Sequence, residues 1–491
     1  MQSLPERRVN IKWEAYAPSI IKFEGGLLMN GLIVLIIYAI IMIAVTVLFT
    51  KREKNAESFF VADRNMGMIK SALSIATTWI WAPALFVSTE KAFTEGIVGL
   101  FWFLVPNVLC LILFIPFAKS IREELPKGIT LSGYMKQKYN SNGVRRVYLF
   151  QLMALSVFST GVQLLAGGKM LSIITGLPYS TMIIALAVIA FSYSQFSGIK
   201  ASVTTDAVQM VFILLTGIGL AACILIKGNG VSDLLSGLGG QSGEYTSLFS
   251  TKGKEILLGF GLPSVIGLIS GPFGDQCFWQ RAFSIREGKI GKAFGLGAVL
   301  FGIVPLCMGI IGFIAAGTGF SPADTGTVNM EYILYRFPKW VMIPFLFMVI
   351  SGLLSTVDSN LCAISSLTTD IFKKSSIKIS RLSMLLLLIA GLLIASIPGL
   401  TVTHLFLFYG TLRASTLLPT ILTLSKVKLT ARGIIIGVLA ALAVGLPIFA
   451  YGNVYNLSLY KTIGSLITVL LSGLAAILIS RWEVQHESYT R

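Results

Sequence analysis

Apolar runs of about 20 residues, divided by short polar loops, recur along nearly the whole chain. They predict spanning helices near 27–50, 68–91, 97–121, 146–174, 179–196, 200–226, 255–281, 290–317, 339–366, 381–398, 402–425, 430–451 and 459–480, about thirteen in all. Only Ser197-Gly198-Ile199 separates the runs 179–196 and 200–226. Two runs carry breakers at mid-depth. Trp79-Ile80-Trp81-Ala82-Pro83 interrupts the second, and Ser270-Gly271-Pro272-Phe273-Gly274-Asp275 interrupts the seventh. Proline removes a backbone donor and clashes with the preceding turn. Breaks at matching places in two halves of a chain point to an inverted-repeat architecture with a midplane site. The fold class expected is therefore an all-α polytopic membrane protein with two broken helices.

Polar positions inside the ninth run form a pattern of their own. Ser355, Asp358 and Ser359 are spaced i, i+3, i+4 and share one helical face. Ser351 and Gly352 lie one turn earlier on that side. An ionised Asp at membrane depth costs roughly 2.5–3.5 kcal/mol on insertion scales. A cation offsets that cost, and hard cations prefer oxygen ligands. The broken segment Ala76-Thr77-Thr78-Trp79 supplies a second set of oxygens, because an unwound helix frees backbone carbonyls. Asp206, within Ser202–Gln209, reads either as an interfacial carboxylate reaching water or as a second-site ligand or proton carrier facing Asp358. Lys169, near a helix end, fits a snorkelling lysine. Arg413 lies deeper and fits either a gate or a structural ion-pair partner. Trp79, Trp81, Phe101, Trp102 and Phe103 serve either as cavity walls or as packing and interface anchors.

Composition agrees with the membrane reading. Hydrophobic residues make up 55% of the chain and charged residues 12%, with mean hydropathy +0.81. A net charge of +17 would suit nucleic acid, but the basic residues sit in short loops between apolar runs. Lys51, Arg52, Lys54 and Arg64 form one such loop, Lys119 through Arg146 another. Arg281, Arg286, Lys289 and Lys292, then Lys373, Lys374, Lys378 and Arg381, then Lys426, Lys428 and Arg432 follow. All fall on one side if the helices alternate, which predicts the N-terminus outside and the C-terminus inside. Arg7, Arg8, Lys12 and Lys22 of the N-terminal tail run against that bias. Met1–Gly26 has no apolar core of a signal peptide. The five cysteines are scattered through apolar segments and read as buried small hydrophobes. His404 and His486 cannot build a histidine-ligated metal site. There is no Walker A loop and no nucleophile–base pair, so neither ATP-driven transport by this chain nor enzymatic catalysis is expected.

The residues quoted resemble the sodium:solute symporter family, carriers of sugars, proline and sialic acid, over about residues 27–480. Ser58-Phe59-Phe60-Val61-Ala62-Asp63-Arg64 resembles the family's inner loop, and Ala76-Thr77-Thr78 its unwound segment. Gly198 with Thr205-Asp206-Ala207-Val208-Gln209 resembles its fifth core helix. Leu354-Ser355-Thr356-Val357-Asp358-Ser359 through Thr369-Asp370-Ile371-Phe372 resembles its eighth. The resemblance implies the five-plus-five inverted repeat of the amino-acid symporters. The repeats would span 66–226 and 254–425. An additional helix at 27–50 and an outer tail 1–26 would precede them. Two peripheral helices at 430–480 and an inner tail 481–491 would follow.

The resemblance also implies a sodium (Na+) site. Its ligands would be the backbone oxygens of Ala76, Trp79 and Gly352 and the hydroxyls of Ser355 and Thr356. A second cation site in some members would fall on Asp206, Asp358, Ser359 and Ser355. Asp358 stands where that pattern carries a serine, and the extra carboxylate favours a second cation or a proton. Thr78–Ala82 and Gly274–Ala282 look most like the urea-transporting branch. Candidates for the substrate cavity are Thr78, Trp81, Phe101, Trp102, Gln163, Asp275 and Gln276. The expected function is sodium-coupled import of a small polar solute such as urea or proline across the cell membrane. The alternatives are a proton-coupled carrier using Asp206 and Asp358, a channel, and a transporter-fold sensor. The chain ends shortly after its last predicted helix, which argues against an added signalling domain.

Overall fold

The computed structural model describes residues 25–489, apart from 52, 54 and 373–375. The N-terminal tail before residue 25, the basic residues Arg52, Lys54, Lys373 and Lys374, and the last two positions lie outside the described residues. Among the described residues every named element is helical, and the one β-bridge joins Met66 to Ile285.

Among the described residues eleven helices are long and apolar enough to cross a membrane: Leu32–Phe49, Val87–Glu124, Asn142–Thr175, Tyr179–Ser197, Ile199–Ile226, Ile290–Gly317, Lys339–Ile371, Ile377–Ala395, Val402–Leu424, Ala431–Val454 and Ser458–His486. The expected count of thirteen included the two interrupted runs, and these are where the structure differs. The first is split into Met68–Trp79 and Ala82–Leu85. The second is split into Thr251–Ile256, a π-helical turn Leu257–Gly261, Leu262–Ile269, Gly271–Gly274 and Gln276–Ser284. No piece is long enough to cross alone.

The breaks follow from the residues. Ile80 leaves helical geometry at ψ 81°, and Trp81 is extended at φ −102°, ψ 176°. Pro83 then sits in the first turn of the next piece, where its missing N–H is harmless. In the second broken helix Pro272 holds the same place and Asp275 is the extended residue, at φ −119°, ψ 117°. Asp275 accepts from the Cys277 N–H at 2.9 Å and so caps the following helix.

Met342–Ile371 is buried along most of its length. It packs against Ile199–Ile226, Asn142–Thr175, Ile377–Ala395 and Met68–Trp79. A helix enclosed on all sides belongs at the centre of a bundle.

Several basic loops meet on one face. Arg64 donates to the carbonyls of Gly128 and Lys127 at 3.0 and 2.9 Å. Lys200 bonds Glu53 and Asp63, each at 2.7 Å. The hydrogen bond from the Lys200 ammonium holds the Asp63 carboxyl below its usual pKa. On the opposite face Lys91, Lys169, His404 and Lys461 line a wide basin.

Gly198 joins two spanning helices on the basic face, at φ +58°, and a Cβ there would lie 2.3 Å from the Phe59 carbonyl oxygen. Both the backbone angle and the clash disfavour any side chain. Gly198→Ala is expected to lower stability by about 1–3 kcal/mol. The check is the melting temperature of the purified protein in detergent; an unchanged value would show that the short helix Ala56–Val61, which carries Phe59, yields freely.

Candidate functional site

The first broken helix lies against the middle of Met342–Ile371. Thr356 Oγ1 is 3.2 Å from the carbonyl oxygens of both Thr78 and Gly352. The hydroxyls of Thr78 and Ser359 are 2.9 Å apart. Gly352 permits this approach, since a Cβ there would meet Leu85 Cδ1 at 2.9 Å and the Ile80 carbonyl at 3.1 Å. Pro83 has no N–H to offer the Trp79 carbonyl four residues earlier. The Ala76 carbonyl accepts from the Ile80 N–H at 2.8 Å. The structure thus brings together the two elements that carry Ala76, Trp79, Gly352, Ser355 and Thr356. Their donors are all hydroxyl or carbonyl oxygens, a set suited to a hard monovalent cation such as sodium. No group of three or more His, Cys, Asp or Glu suited to a metal occurs among the described residues.

Behind this junction lies a buried charged cluster. Asp206 and Asp358 are both fully buried. Asp206 accepts from the hydroxyls of Ser74 and Ser355. It also pairs with Arg281 at 2.9 Å. The same Arg281 nitrogen donates to Ser359 Oγ at 2.7 Å, and Arg281 Nε to Ser74 Oγ at 3.0 Å. Arg281 is only 1% exposed, although its place near the end of an apolar run suggests a loop charge. The four residues expected to form a second cation site, Asp206, Asp358, Ser359 and Ser355, do come together. A guanidinium, that of Arg281, also stands among them and pairs with Asp206. Asp358 instead takes hydroxyl donors: Ser202 at 2.7 Å and, more weakly, Thr205 and Ser359 at 3.4 Å. Among the described residues no Lys or Arg forms an ion pair with Asp358.

A narrow cavity of about 10 Å³, room for about one water, lies beside the junction. Thr78, Trp81, Ser159, Asp275, Asn360 and Arg413 are among its walls. Thr78, Trp81 and Asp275 therefore fall where a substrate cavity was expected. The other four candidates do not line it. Gln276 turns toward the basic face, bonding Leu131 N–H, Ile129 O and Ser366 Oγ. Gln163 accepts from the Ala82 N–H at 2.7 Å and secures the start of the second half-helix. Phe101 and Trp102 pack edge to face on each other, and Trp102 lies against Gly261. Arg413 pairs with Asp275 at 3.1 Å, which settles its ion-pair partner.

The chain is similar to known transporters along most of its length. It is 24% identical to the urea active transporter of Saccharomyces cerevisiae over 87% of this chain and 63% of that protein. The chain therefore spans less than two thirds of that relative's length. It is also 24% identical to a urea-proton symporter of Oryza sativa, over 88% of this chain and 67% of that protein. In three dimensions it resembles a Na+-coupled sialic acid symporter in a substrate-bound, outward-open state, with TM-score 0.73 and 19% identity over 91% of this chain and 98% of that one. That likeness shows the fold of the inverted-repeat symporters. Residues 59–441 match the sodium:solute symporter family, to which this chain belongs.

Proposed function

We propose that the chain is a secondary-active symporter that imports a small polar solute, with sodium bound between the first broken helix and Gly352–Thr356. Membership of the family makes it a multi-pass membrane transporter of solutes. The carrying observation is the contact of Thr78 and Ile80 with Gly352 and Thr356, which brings only oxygen donors to the break. Sodium bound there would favour the state in which the solute site is complete, and so couple the two fluxes. The urea-transporting relatives support a compact solute, urea foremost. The grouping of basic loops on one face supports a cytoplasmic location for that face in the cell membrane.

The test is uptake by reconstituted vesicles of labelled urea, proline and sialic acid, with and without a sodium gradient. Sodium-driven accumulation of urea or proline is expected; equilibration without accumulation would indicate a channel. Ser355→Ala with Thr356→Ala removes both side-chain ligands. It is expected to raise the sodium concentration for half-maximal uptake at least about tenfold, a loss of about 1.4 kcal/mol or more. An unaltered sodium dependence would refute the site.

A second reading has its own observation. Asp358 is buried with hydroxyl donors and, among the described residues, no paired Lys or Arg. A second coupling ion at Asp358, sodium or a proton, follows from that, and one relative carries the name urea-proton symporter.

A further inference from the structure

We propose that Arg413 and Trp81 bind an oxygen acceptor on the solute, so that the site selects small neutral molecules bearing a carbonyl group. This rests on the transport reading above and names the chemical class that the central cavity takes.

The argument begins with unpaired donors. Arg413 is 2% exposed, and its guanidinium has one carboxylate partner, Asp275. Its Nε and its other terminal nitrogen are buried with no hydrogen-bond partner. So is the indole Nε1 of Trp81. Both side chains line the cavity. A buried donor without an acceptor carries a desolvation cost, which a ligand oxygen would remove.

The acceptors nearby are already engaged. One Asp275 oxygen takes the Cys277 N–H and the other takes Arg413. Asn360 Oδ1 accepts from the Cys277 thiol at 3.4 Å. The cavity therefore has donors in surplus, and a fitting ligand must bring an acceptor.

Charge narrows the class. Arg413 and Asp275 cancel, so a neutral ligand leaves the buried cavity neutral. Without sodium bound, a carboxylate would leave one uncompensated negative charge and a guanidinium ion one positive charge, each costly at low dielectric. A cation would also offer more donors to a site that already lacks acceptors. Aromatic faces hold the guanidinium in place: its carbon lies 4.6 Å from the Tyr409 ring centre, 5.3 Å from Trp79 and 5.6 Å from Trp81. Gly274 lets the arginine stem pass, since a Cβ there would stand 3.0 Å from Arg413 Cβ.

The experiment compares four probes of similar size: urea, acetamide, acetate and guanidinium. Binding is read by intrinsic tryptophan fluorescence of the purified protein at millimolar probe, and transport by uptake into vesicles. The proteins are wild type, Arg413→Gln and the double variant Arg413→Gln with Asp275→Asn. The double variant leaves no unpaired buried charge and stands in if the single variant misfolds.

For the wild type, urea and acetamide are expected to bind at least about tenfold tighter than acetate and guanidinium. Both variants should lose that preference, while the sodium concentration for half-maximal uptake moves less than about twofold. Equal binding of the four probes, no binding of either carbonyl probe, or unchanged preference in the double variant would overturn the inference. Binding of urea with this preference but without uptake would overturn the transport reading and leave the inference standing.

Discussion

Arg281→Gln is expected to abolish transport and to destabilise the protein by about 3–5 kcal/mol, the cost of leaving one partner of a buried ion pair alone. Asp206 is fully buried and Arg281 nearly so, at 2.9 Å. Without the guanidinium, Asp206 keeps only hydroxyl donors, from Ser74 and Ser355. Ser359 and Ser74 would each lose a donor as well. These residues join four segments: Met68–Trp79, Ile199–Ile226, Gln276–Ser284 and Met342–Ile371. Asp206→Asn alone should be similarly harmful, because it strands Arg281. The double variant Arg281→Gln with Asp206→Asn removes both charges and should recover most of the stability. Such non-additivity is the mark of two residues in direct contact. Melting temperatures of the three variants in detergent give the coupling, and vesicle uptake gives the function. Single variants that fold and transport like wild type would show the pair to be dispensable.

Much of this site was legible in the chain, and the exceptions have a common cause. The first break was readable because Pro83 cannot donate a backbone bond, but Ala76–Trp79, read as unwound, is helical, and the chain leaves the helix only at Ile80 and Trp81. The oxygen stripe was readable because helical spacing alone puts Ser355, Asp358 and Ser359 on one face. Arg281 was not. A basic residue near the end of an apolar run is by default a loop charge, and its carboxylate partner lies 75 positions away, beyond any periodicity. One signal was available: Phe278, Trp279, Ala282 and Phe283 flank Arg281 on both sides, and the polar run starts only at Arg286. Gln276 shows the opposite error. It adjoins the second break, but nearness in sequence does not set the direction of a side chain, and its amide turns to Ile129 and Ser366. The helix count differed at the two interrupted runs, because composition registers apolar length while the prolines divide it.

Asp358→Ser is expected to lower by one the positive charge moved with each solute molecule, while solute uptake persists. The expectation follows from the division of labour between the two buried carboxylates. Asp206 has a permanent cation in Arg281, so it demands no ion from solution. Asp358 has hydroxyl neighbours, Ser202 foremost, and no paired Lys or Arg among the described residues. A bare carboxylate at that depth is too costly to be carried through the transport cycle uncompensated. On the proposed reading the compensating charge comes from solution, as sodium or as a proton, and leaves with the solute. Serine keeps a hydroxyl in the pocket but removes the charge that calls for an ion. The measurement is the reversal potential of solute-dependent current in vesicles, taken at several sodium concentrations and several pH values. A sodium ion at Asp358 predicts that the variant loses one sodium from its coupling ratio and keeps the pH profile. A proton at Asp358 predicts that the pH profile flattens and the sodium dependence stays. Either result assigns the ion. Unchanged charge movement, sodium response and pH profile together would refute a coupling role for Asp358. The proposed sodium site would then be the sole source of coupling, since its proposed ligands Gly352, Ser355 and Thr356 are untouched by the substitution.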